Sequence, residues 1–207
     1  MKSSTHGTDV YLITIGREIL TGRTLDTNAH WLAGQLTRLG ARVRQLACVD
    51  DRIDDIAAEI GAARKIGSRA IITTGGLGPT HDDVTLEAVA RAAGRRLRLH
   101  PTARRMLAER YRALHRAGKI SEARLGPARL KMARLPVGAT PLANSVGSAP
   151  GVLVDLEGLP IFLLPGVPAE MKAIFTAEVA PRIVRIFGAT GASPARAPAR
   201  AGDQFNM

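Results

Sequence analysis

One loop of the sequence carries most of the residues whose types and spacing suit chemistry. It reads TTGGLGPTHDD, and it contains three glycines and two adjacent acids: Gly75, Gly76, Gly78, Asp82 and Asp83. Glycine lets backbone amides approach a ligand because it has no Cβ, and the start of a helix adds N–H donors and partial positive charge. The loop precedes a helix-like segment, so it predicts a phosphate site. The alternative is a tight connection without a ligand.

The acids of this loop predict a divalent cation, because carboxylates beside a phosphate repel it unless a cation stands between them. Asp51 is expected near the loop, since it follows a neighbouring predicted strand. Mg²⁺ is commonly held by one or two carboxylates together with phosphate oxygens. We therefore predict Asp51, Asp82 and Asp83 as metal ligands. The alternative for Asp82 and Asp83 is that they cap the following helix.

Two further clusters of glycine and proline, NSVGSAPG and LPGVPAEM, flank a predicted β-hairpin. Each is placed to bring backbone amides or small side chains toward the same ligand, and ordinary turn chemistry is the alternative. Two cations near the end of a basic segment are candidates for clamping phosphates. Together with the threonines of the first loop, these regions supply the remaining predicted ligand contacts: Thr74, Thr80, Ser148, Gly166, Arg129 and Lys131.

Three strand–helix units in succession must position these loops. Apolar runs predict strands at 10–16, 41–49 and 69–74, and helical periodicity follows each of them. Such alternation predicts an α/β fold with a mostly parallel sheet covered by helices on both faces. Ligands of open parallel sheets bind beyond the carboxyl ends of the strands. The loops that follow the three strands are therefore predicted to converge at one edge.

The pattern changes after residue 95. The sequence predicts a short edge strand at 95–100, helices at 102–117 and 121–132, a hairpin at 151–164 and a final helix from Pro168. We place one domain at residues 1–187, with the basic helical segment 95–134 inside it. Residues 188–207 are rich in Gly, Ala, Pro and Arg without periodicity, which predicts a disordered tail.

The positive charge of the chain is concentrated in the basic segment, residues 95–134. This segment contains thirteen of the 29 Lys and Arg residues but two of the 18 Asp and Glu residues, so it accounts for the whole net charge of +11. Such a surface suits nucleic acid or an anionic small molecule. A solvated helical face is the plainer alternative, and Tyr111 is the one aromatic residue in the segment that could stack on a base.

Composition narrows the class of protein further. Cys48 is the single cysteine, which rules out a disulfide framework within the chain and a cysteine-rich zinc site. The N-terminus has no apolar signal core, and no apolar stretch approaches the roughly 20 residues that a membrane span needs. We expect a cytoplasmic protein without a membrane partner.

Four motifs in order resemble one family: GREILTGRTLDTNAHWLAGQLTRLG, TTGGLGPTHDD, NSVGSAPG and LPGVPAEMK. They look like the molybdopterin-binding fold domain of the competence/damage-inducible (CinA-like) proteins, over about residues 10–186. More distantly they are similar to the MoaB/Mog molybdopterin adenylyltransferases. The resemblance implies a three-layer α/β/α fold and a homo-oligomer. It also implies that Asp51 and Asp83 serve a metal and catalysis.

The resemblance implies metal-dependent hydrolysis of a nucleotide pyrophosphate such as ADP-ribose. Leu77 stands where the adenylyltransferases have threonine, which argues against adenylyl transfer. Longer CinA-like members carry a C-terminal domain that deamidates nicotinamide mononucleotide, and we expect that activity to be absent here. Two alternatives stay open. One is a non-catalytic protein of molybdenum cofactor biosynthesis that binds molybdopterin, another pterin phosphate or a nucleotide. The less favoured one is a nucleic-acid binder through residues 95–134.

Overall fold

The structure, a computed structural model, describes residues 7–188. Its strands are β1 (Asp9–Ile15), β2 (Arg42–Val49), β3 (Ala70–Thr74), β4 (Leu97–Leu99), β5 (Arg134–Pro136), β6 (Thr140–Leu142), β7 (Gly151–Leu156) and β8 (Leu159–Leu164). Its helices are α1 (Arg17–Leu20), α2 (Thr27–Arg38), α3 (Ile53–Lys65), α4 (Thr85–Ala92), α5 (Pro101–Arg116), α6 (Pro127–Lys131), α7 (Pro168–Ile174) and α8 (Ala180–Gly188), with a π-helical turn, Phe175–Val179, between the last two.

The central sheet has six strands in the order β2-β1-β3-β8-β7-β6. The first four strands are parallel to one another, and β7 runs antiparallel to both β8 and β6. The chain leaves β1 toward one side for β2 and then crosses to the other side for β3. Such a reversal of strand order marks the crevice where ligands bind in open α/β sheets.

Helices cover both faces of this sheet, which confirms the predicted three-layer α/β/α class. Alternate residues of β1 separate the two layers: Tyr11 and Ile13 pack toward α3, α4 and α5, while Val10 and Leu12 pack toward α2, α7 and α8. This alternation follows from the two-residue period of a strand. The sheet interior is built mainly from Ile, Leu and Val, because the chain has few aromatic residues.

The β7–β8 hairpin forms close to the predicted boundaries. Its turn is made by Glu157 and Gly158, whose φ angles are 54° and 87°. Two successive residues at positive φ are typical of the turn that matches the twist of a two-residue hairpin, and glycine adopts such angles without steric cost. The hairpin therefore joins the parallel part of the sheet through β8 and adds β7 as an antiparallel strand beside it.

The basic segment differs from its prediction in two places. The short strand β4 does not extend the main sheet, because it pairs with β5 in a separate two-stranded sheet. The second predicted helix, 121–132, is reduced to α6, since a helix forms only from Pro127 onward. Proline is favoured at the first position of a helix because its missing N–H has no partner there anyway.

Two helices that border the loops begin in different ways. Helix α2 is capped by Asp26, whose side chain accepts a hydrogen bond from the Ala29 amide. Helix α4 begins at Thr85, and no side chain caps it. The predicted disordered tail lies outside the described residues from 189 onward. Within residues 7–188, no helix is long and apolar enough to cross a membrane.

Candidate functional site

A cavity of about 410 Å³ opens at the carboxyl edge of the parallel strands. The loops that follow β1, β2, β3 and β8 all contribute to its lining, and the segment before β7 closes one side. This site cavity brings together seven of the predicted site residues: Asp51, Gly75, Gly76, Gly78, Asp83, Ser148 and Gly166. The convergence arises because parallel strands end at the same edge of the sheet.

The glycine loop fits against the end of β1 because its first two residues have no side chain. Gly75 has φ +106°, and a Cβ there would lie 2.1 Å from the carbonyl oxygen of Ile15. Gly76 has φ +66°, and its Cβ would lie 2.2 Å from Oγ1 of Thr85. Thr85 in turn fixes the loop, since its hydroxyl donates to the Gly75 carbonyl over 2.9 Å.

Backbone amides of this loop are free to bind an anion. The Gly75 amide is not one of them, because it donates to the Leu164 carbonyl at 3.0 Å. The amides of Gly76, Leu77 and Gly78 have no acceptor within the described residues. Buried or part-buried amides normally find a partner, so three successive free donors beside a cavity indicate a site for phosphate or another anion.

Asp83 organises the loop instead of capping helix α4. Its Oδ2 accepts from both the amide and the hydroxyl of Thr80, at 2.9 and 2.5 Å. Gly78 is required beside it, since a Cβ there would lie 2.6 Å from the same oxygen. Its other oxygen, Oδ1, makes no hydrogen bond in the described structure. Thr80 therefore acts by holding Asp83, and it does not line the site cavity.

Asp51 faces the same cavity from the end of β2. One of its oxygens, Oδ2, accepts from the Arg17 amide at 3.1 Å. Burial is the main reason why the pKa of the Asp51 carboxyl is raised above its ordinary value, and the negative charges of Glu18, Asp50 and Asp83 raise it further. The carboxylates at this edge are therefore near enough to repel one another, which a bound cation would relieve.

Asp82 stands apart from this pair. Its carboxylate is exposed and contacts the His81 imidazole at 2.9 Å. It lines a second, neighbouring cavity that also contains Asp50, Asp51 and Asp83. The structure thus keeps Asp82 near the acidic edge but outside the glycine-lined site cavity.

Two acids of the site cavity were not predicted as site residues. Glu18 enters it from α1, and Glu170 enters it from α7. Glu170 also accepts from Asn144 Nδ2 at 2.6 Å, and the Asn144 side-chain oxygen accepts from the Val146 and Gly147 amides. These bonds shape the NSVGSAPG segment so that Ser148 reaches the site cavity. In the sequence, Glu18 lies in GREIL and Glu170 in PAEM, and an acid within each of these motifs is the signal that could have identified them as site residues.

The two predicted phosphate clamps do not reach the site cavity. The Arg129 guanidinium lies over the Tyr111 ring, 4.1 Å from its centroid, and donates to the carbonyls of Glu122 and Arg124. Lys131 donates to the Thr80 carbonyl at 2.6 Å and so fixes the glycine loop from outside. Nη1 of Arg129 is therefore used within its own segment, and a contact of Arg129 with a ligand stays a prediction.

Thr74 is also placed differently from its prediction. Thr74 lines a smaller cavity of about 110 Å³ on the α2 side of the sheet. Asn28 closes that cavity and donates to the Gly166 carbonyl at 2.7 Å. Gly166 lines both cavities, so the two spaces adjoin.

The residues present fit a divalent cation only if a ligand completes its coordination. Within residues 7–188, no group of three or more His, Cys, Asp or Glu side chains could hold a metal ion by itself. Asp51 and Asp83 nevertheless face one cavity, and each has one oxygen without a hydrogen bond. Mg²⁺ is typically bound in this way, with phosphate oxygens and water as the remaining ligands.

The fold and site define a class: an α/β domain with an acidic, glycine-lined cavity at the carboxyl edge of a mostly parallel sheet. A family model described as "Probable molybdopterin binding domain" matches residues 11–185. The chain therefore belongs to this molybdopterin-binding domain family.

Individual relatives are similar to this chain over most of its length. The chain is 37% identical to the protein CinA of Thermoplasma acidophilum, whose crystal structure matches with a TM-score of 0.78 over 86% of this chain and 99% of that one. It is 48% identical over 177 residues to a protein of Aeropyrum pernix and 46% identical over 172 residues to one of Pyrococcus horikoshii. These alignments cover 85% and 83% of this chain but 63% and 68% of those relatives.

Solved structures of molybdenum and tungsten cofactor proteins share the fold at lower identity. The MoaB protein of Pyrococcus furiosus, described as synthesising tungsten cofactor, is 18% identical, with a TM-score of 0.54 over 87% of this chain and 97% of that one. At such identity the likeness establishes the fold alone. The CinA-like and MoaB/Mog-like resemblance of the four sequence motifs is thus confirmed at the level of family and fold.

Proposed function

We propose that this protein is a metal-dependent nucleotide pyrophosphatase that hydrolyses a phosphoanhydride of the ADP-ribose type. The observation that carries the proposal is the composition of the site cavity. Among residues 7–188, four acids line it, namely Glu18, Asp51, Asp83 and Glu170, and no Lys, Arg or His does. Free amides beside such a cavity attract phosphate, whereas the carboxylates repel it. A divalent cation bound between the carboxylates and the phosphate would remove this repulsion.

The residues have separate roles in this proposal. The amides of Gly76, Leu77 and Gly78 hold one phosphate of the diphosphate, because they lack other acceptors. Asp51 and Asp83 hold the cation through their free oxygens, and Thr80 fixes Asp83 in position. When bound, such a cation neutralises charge on the phosphates and lowers the pKa of water. Glu170 and Asn144 keep the neighbouring loop, including Ser148, in contact with the ligand.

Turnover of ADP-ribose with Mg²⁺, Mn²⁺ or Co²⁺ tests the proposal. We expect Asp51→Asn and Asp83→Asn each to lower kcat/KM by about 100-fold or more, since each removes a charge needed to hold the cation. Asp82→Asn is the matched control, because its carboxylate lies outside the site cavity, and it should retain activity within about threefold. Thermal melting identifies any variant that has lost its fold.

Equal turnover by the parent and both variants would refute the assignment of Asp51 and Asp83. The family description favours one second candidate, a non-catalytic protein that binds a molybdopterin or nucleotide phosphate. That candidate predicts saturable binding of the ligand by the parent, weakened by Gly78→Ala, with no product formed under any of the three metals. Turnover by the parent would contradict it.

A further inference from the structure

Two cations of the basic segment contact the loops of the site cavity without lining the cavity. Arg110, on α5, donates from Nη2 to the Val146 carbonyl. Lys131, at the end of α6, donates from Nζ to the Thr80 carbonyl over 2.6 Å. Val146 belongs to the NSVGSAPG segment and Thr80 to the glycine loop. Both of these stretches contribute residues to the lining of the site cavity, so each cation holds one of its loops.

The contact of Lys131 leads directly to Asp83. The Thr80 carbonyl that Lys131 binds also accepts from the Asp83 amide at 3.3 Å. The amide and the hydroxyl of Thr80 donate in turn to Asp83 Oδ2. Lys131 also contacts the His81 carbonyl at 3.4 Å. Asp83 therefore lies at the end of a turn whose first two carbonyl groups are bound by one side chain of the basic segment.

The contact of Arg110 leads into the other loop in the same way. Val146, whose carbonyl Arg110 binds, donates its amide to the Asn144 side-chain oxygen at 3.1 Å. The same oxygen accepts from the Gly147 amide, and Asn144 Nδ2 donates to Glu170. Gly147 lies so close to Glu170 that a Cβ there would overlap the carboxylate. Arg110 thus holds this loop shortly before the residues that line the site cavity.

The backbone that carries the two cations is fixed by the core. Tyr111 and Met132, which directly follow them in the sequence, are 8% and 1% exposed. Both belong to one core cluster with Leu77 of the glycine loop and Ala149 of the NSVGSAPG segment. The residues whose carbonyls the cations bind are themselves exposed, so core packing does not hold them. The two hydrogen bonds therefore connect closely packed backbone to exposed turns.

We propose that Arg110 and Lys131 are positioning residues that hold the two loops of the site cavity from outside. Lys131 acts through Thr80 on Asp83. Arg110 acts through Val146 on the NSVGSAPG segment. The inference rests on the proposed function only in taking the site cavity as the place where a nucleoside diphosphate and its cation bind. In this assignment neither side chain touches the ligand, and Lys131 serves the site without binding phosphate.

Amide hydrogen exchange of the free protein, measured by mass spectrometry, tests the positioning directly. We expect Lys131→Met to make the amides of residues 80–83 exchange about tenfold faster, because the turn loses its charged donor. Arg110→Met should do the same for residues 144–148 and leave residues 80–83 unchanged. Methionine retains an unbranched apolar stem in both variants. Thermal melting identifies any variant that has lost its fold.

Lys119→Met and Arg112→Met are the matched controls. Each removes one positive charge from the basic segment, and both side chains are exposed. Within residues 7–188, neither side chain makes a hydrogen bond or an ion pair. Both controls should exchange like the parent in the two loops, which separates the loss of a hydrogen bond from the loss of a charge.

Calorimetry of ADP binding in the presence of Mn²⁺ measures the consequence for the site. We expect Lys131→Met to raise the Mn²⁺ concentration needed for half-maximal ADP binding by about tenfold, because Asp83 is the proposed cation ligand on its loop. Arg110→Met should weaken ADP binding at saturating Mn²⁺ but change that Mn²⁺ concentration by less than about twofold. A general loss of stability would not separate these two effects.

The inference is overturned if both loops exchange in the variants as they do in the parent, or if the controls accelerate exchange equally. It is also overturned if Lys131→Met and Arg110→Met change ADP binding in the same way. A parent that binds no ADP would contradict the proposed function instead, and the exchange measurements would then decide the positioning roles by themselves. Faster exchange confined to the expected loop would support those roles even in that case.

Discussion

Single residues decide whether the glycine loop can approach β1. Gly75 is the clearest case, because its backbone has a φ of +106° and its Cα faces the Ile15 carbonyl. Such a φ is unfavourable for any residue with a Cβ, and the short distance adds a direct clash. Gly76 and Gly78 are constrained in the same way by Thr85 and Asp83. The loop therefore needs glycine for its geometry and also for access to its amides.

Gly75→Ala is expected to destabilise the protein by about 3 kcal/mol or more, because strain and overlap add at one buried site. Gly94→Ala is the control: it has a similar backbone constraint, φ +62°, but nothing lies within 4 Å of its Cβ position. It should cost about 1–2 kcal/mol. Urea unfolding measures both, and equal costs would contradict the role of the Ile15 contact.

Among the secondary-structure elements, β2 depends most on charge. It forms one edge of the sheet and is largely exposed. The buried Asp9 of β1 holds it through Arg42, at 2.7 and 2.9 Å, and through Arg44, at 3.1 Å. The hydrogen bond from Arg42 is the main reason why the pKa of Asp9 is lowered, and burial opposes it. These charge-assisted bonds fix the pairing of β1 with β2, and hence the position of Asp51.

Asp9→Asn is expected to lower the free energy of unfolding by about 1–3 kcal/mol at pH 7. A carboxyl whose pKa is lowered by folding stabilises the protein above its ordinary pKa of 3.8, and that stabilisation is lost as the pH falls through the folded value. The difference between parent and variant should therefore shrink below about pH 4. Urea unfolding at several pH values measures this.

Asp54→Asn serves as the control for this experiment. Asp54 pairs with Arg91 at 2.6 Å, but both side chains are mostly exposed. Exposed ion pairs contribute about 0–1 kcal/mol. If Asp9→Asn cost no more than Asp54→Asn, or if its cost stayed constant down to pH 3, the assigned role of Asp9 would be wrong.

The whole molecule is electrically uneven. The site cavity is acidic, whereas the basic segment carries a net charge of +11. Among the described residues, the one ion pair made by the cations of this segment joins Arg105 to Glu109, at the 4.0 Å limit. Several other cations, including Arg110 and Lys131, donate to backbone carbonyls near the site. Like charges on this surface therefore remain largely uncompensated, and binding of nucleic acid there stays a prediction.

Raising the ionic strength from about 0.01 to about 0.15 M is expected to raise the melting temperature by a few degrees, because salt screens repulsion between the exposed cations. Replacing Arg112 and Arg116 with glutamine should reduce this dependence, since both are exposed and neither has an acidic partner in the described structure. Differential scanning calorimetry measures the effect. A melting temperature that falls with salt would show that attractive pairs dominate.

The sequence by itself determined the strand–helix alternation, the hairpin and the convergence of Asp51, Asp83 and the glycine loop. These features follow from local periodicity, turn residues and the rule that parallel strands end at one edge. Element boundaries in the basic segment were predicted less well. Local helical propensity at 121–126 did not decide the structure there, because packing overrides weak propensity.

Only the tertiary structure decided which atoms meet. Asn28 and Gly166, which are 138 positions apart, share a hydrogen bond, and both line the smaller cavity on the α2 side of the sheet. Arg129 is drawn onto Tyr111 and away from the site cavity, while Glu18 and Glu170 are brought into it. Such contacts depend on how distant elements pack across the sheet. The number of residues between two positions does not tell how far apart they lie after folding. The sequence therefore predicted that the site lies at the carboxyl edge of the sheet, but it did not predict which side chains contact one another there.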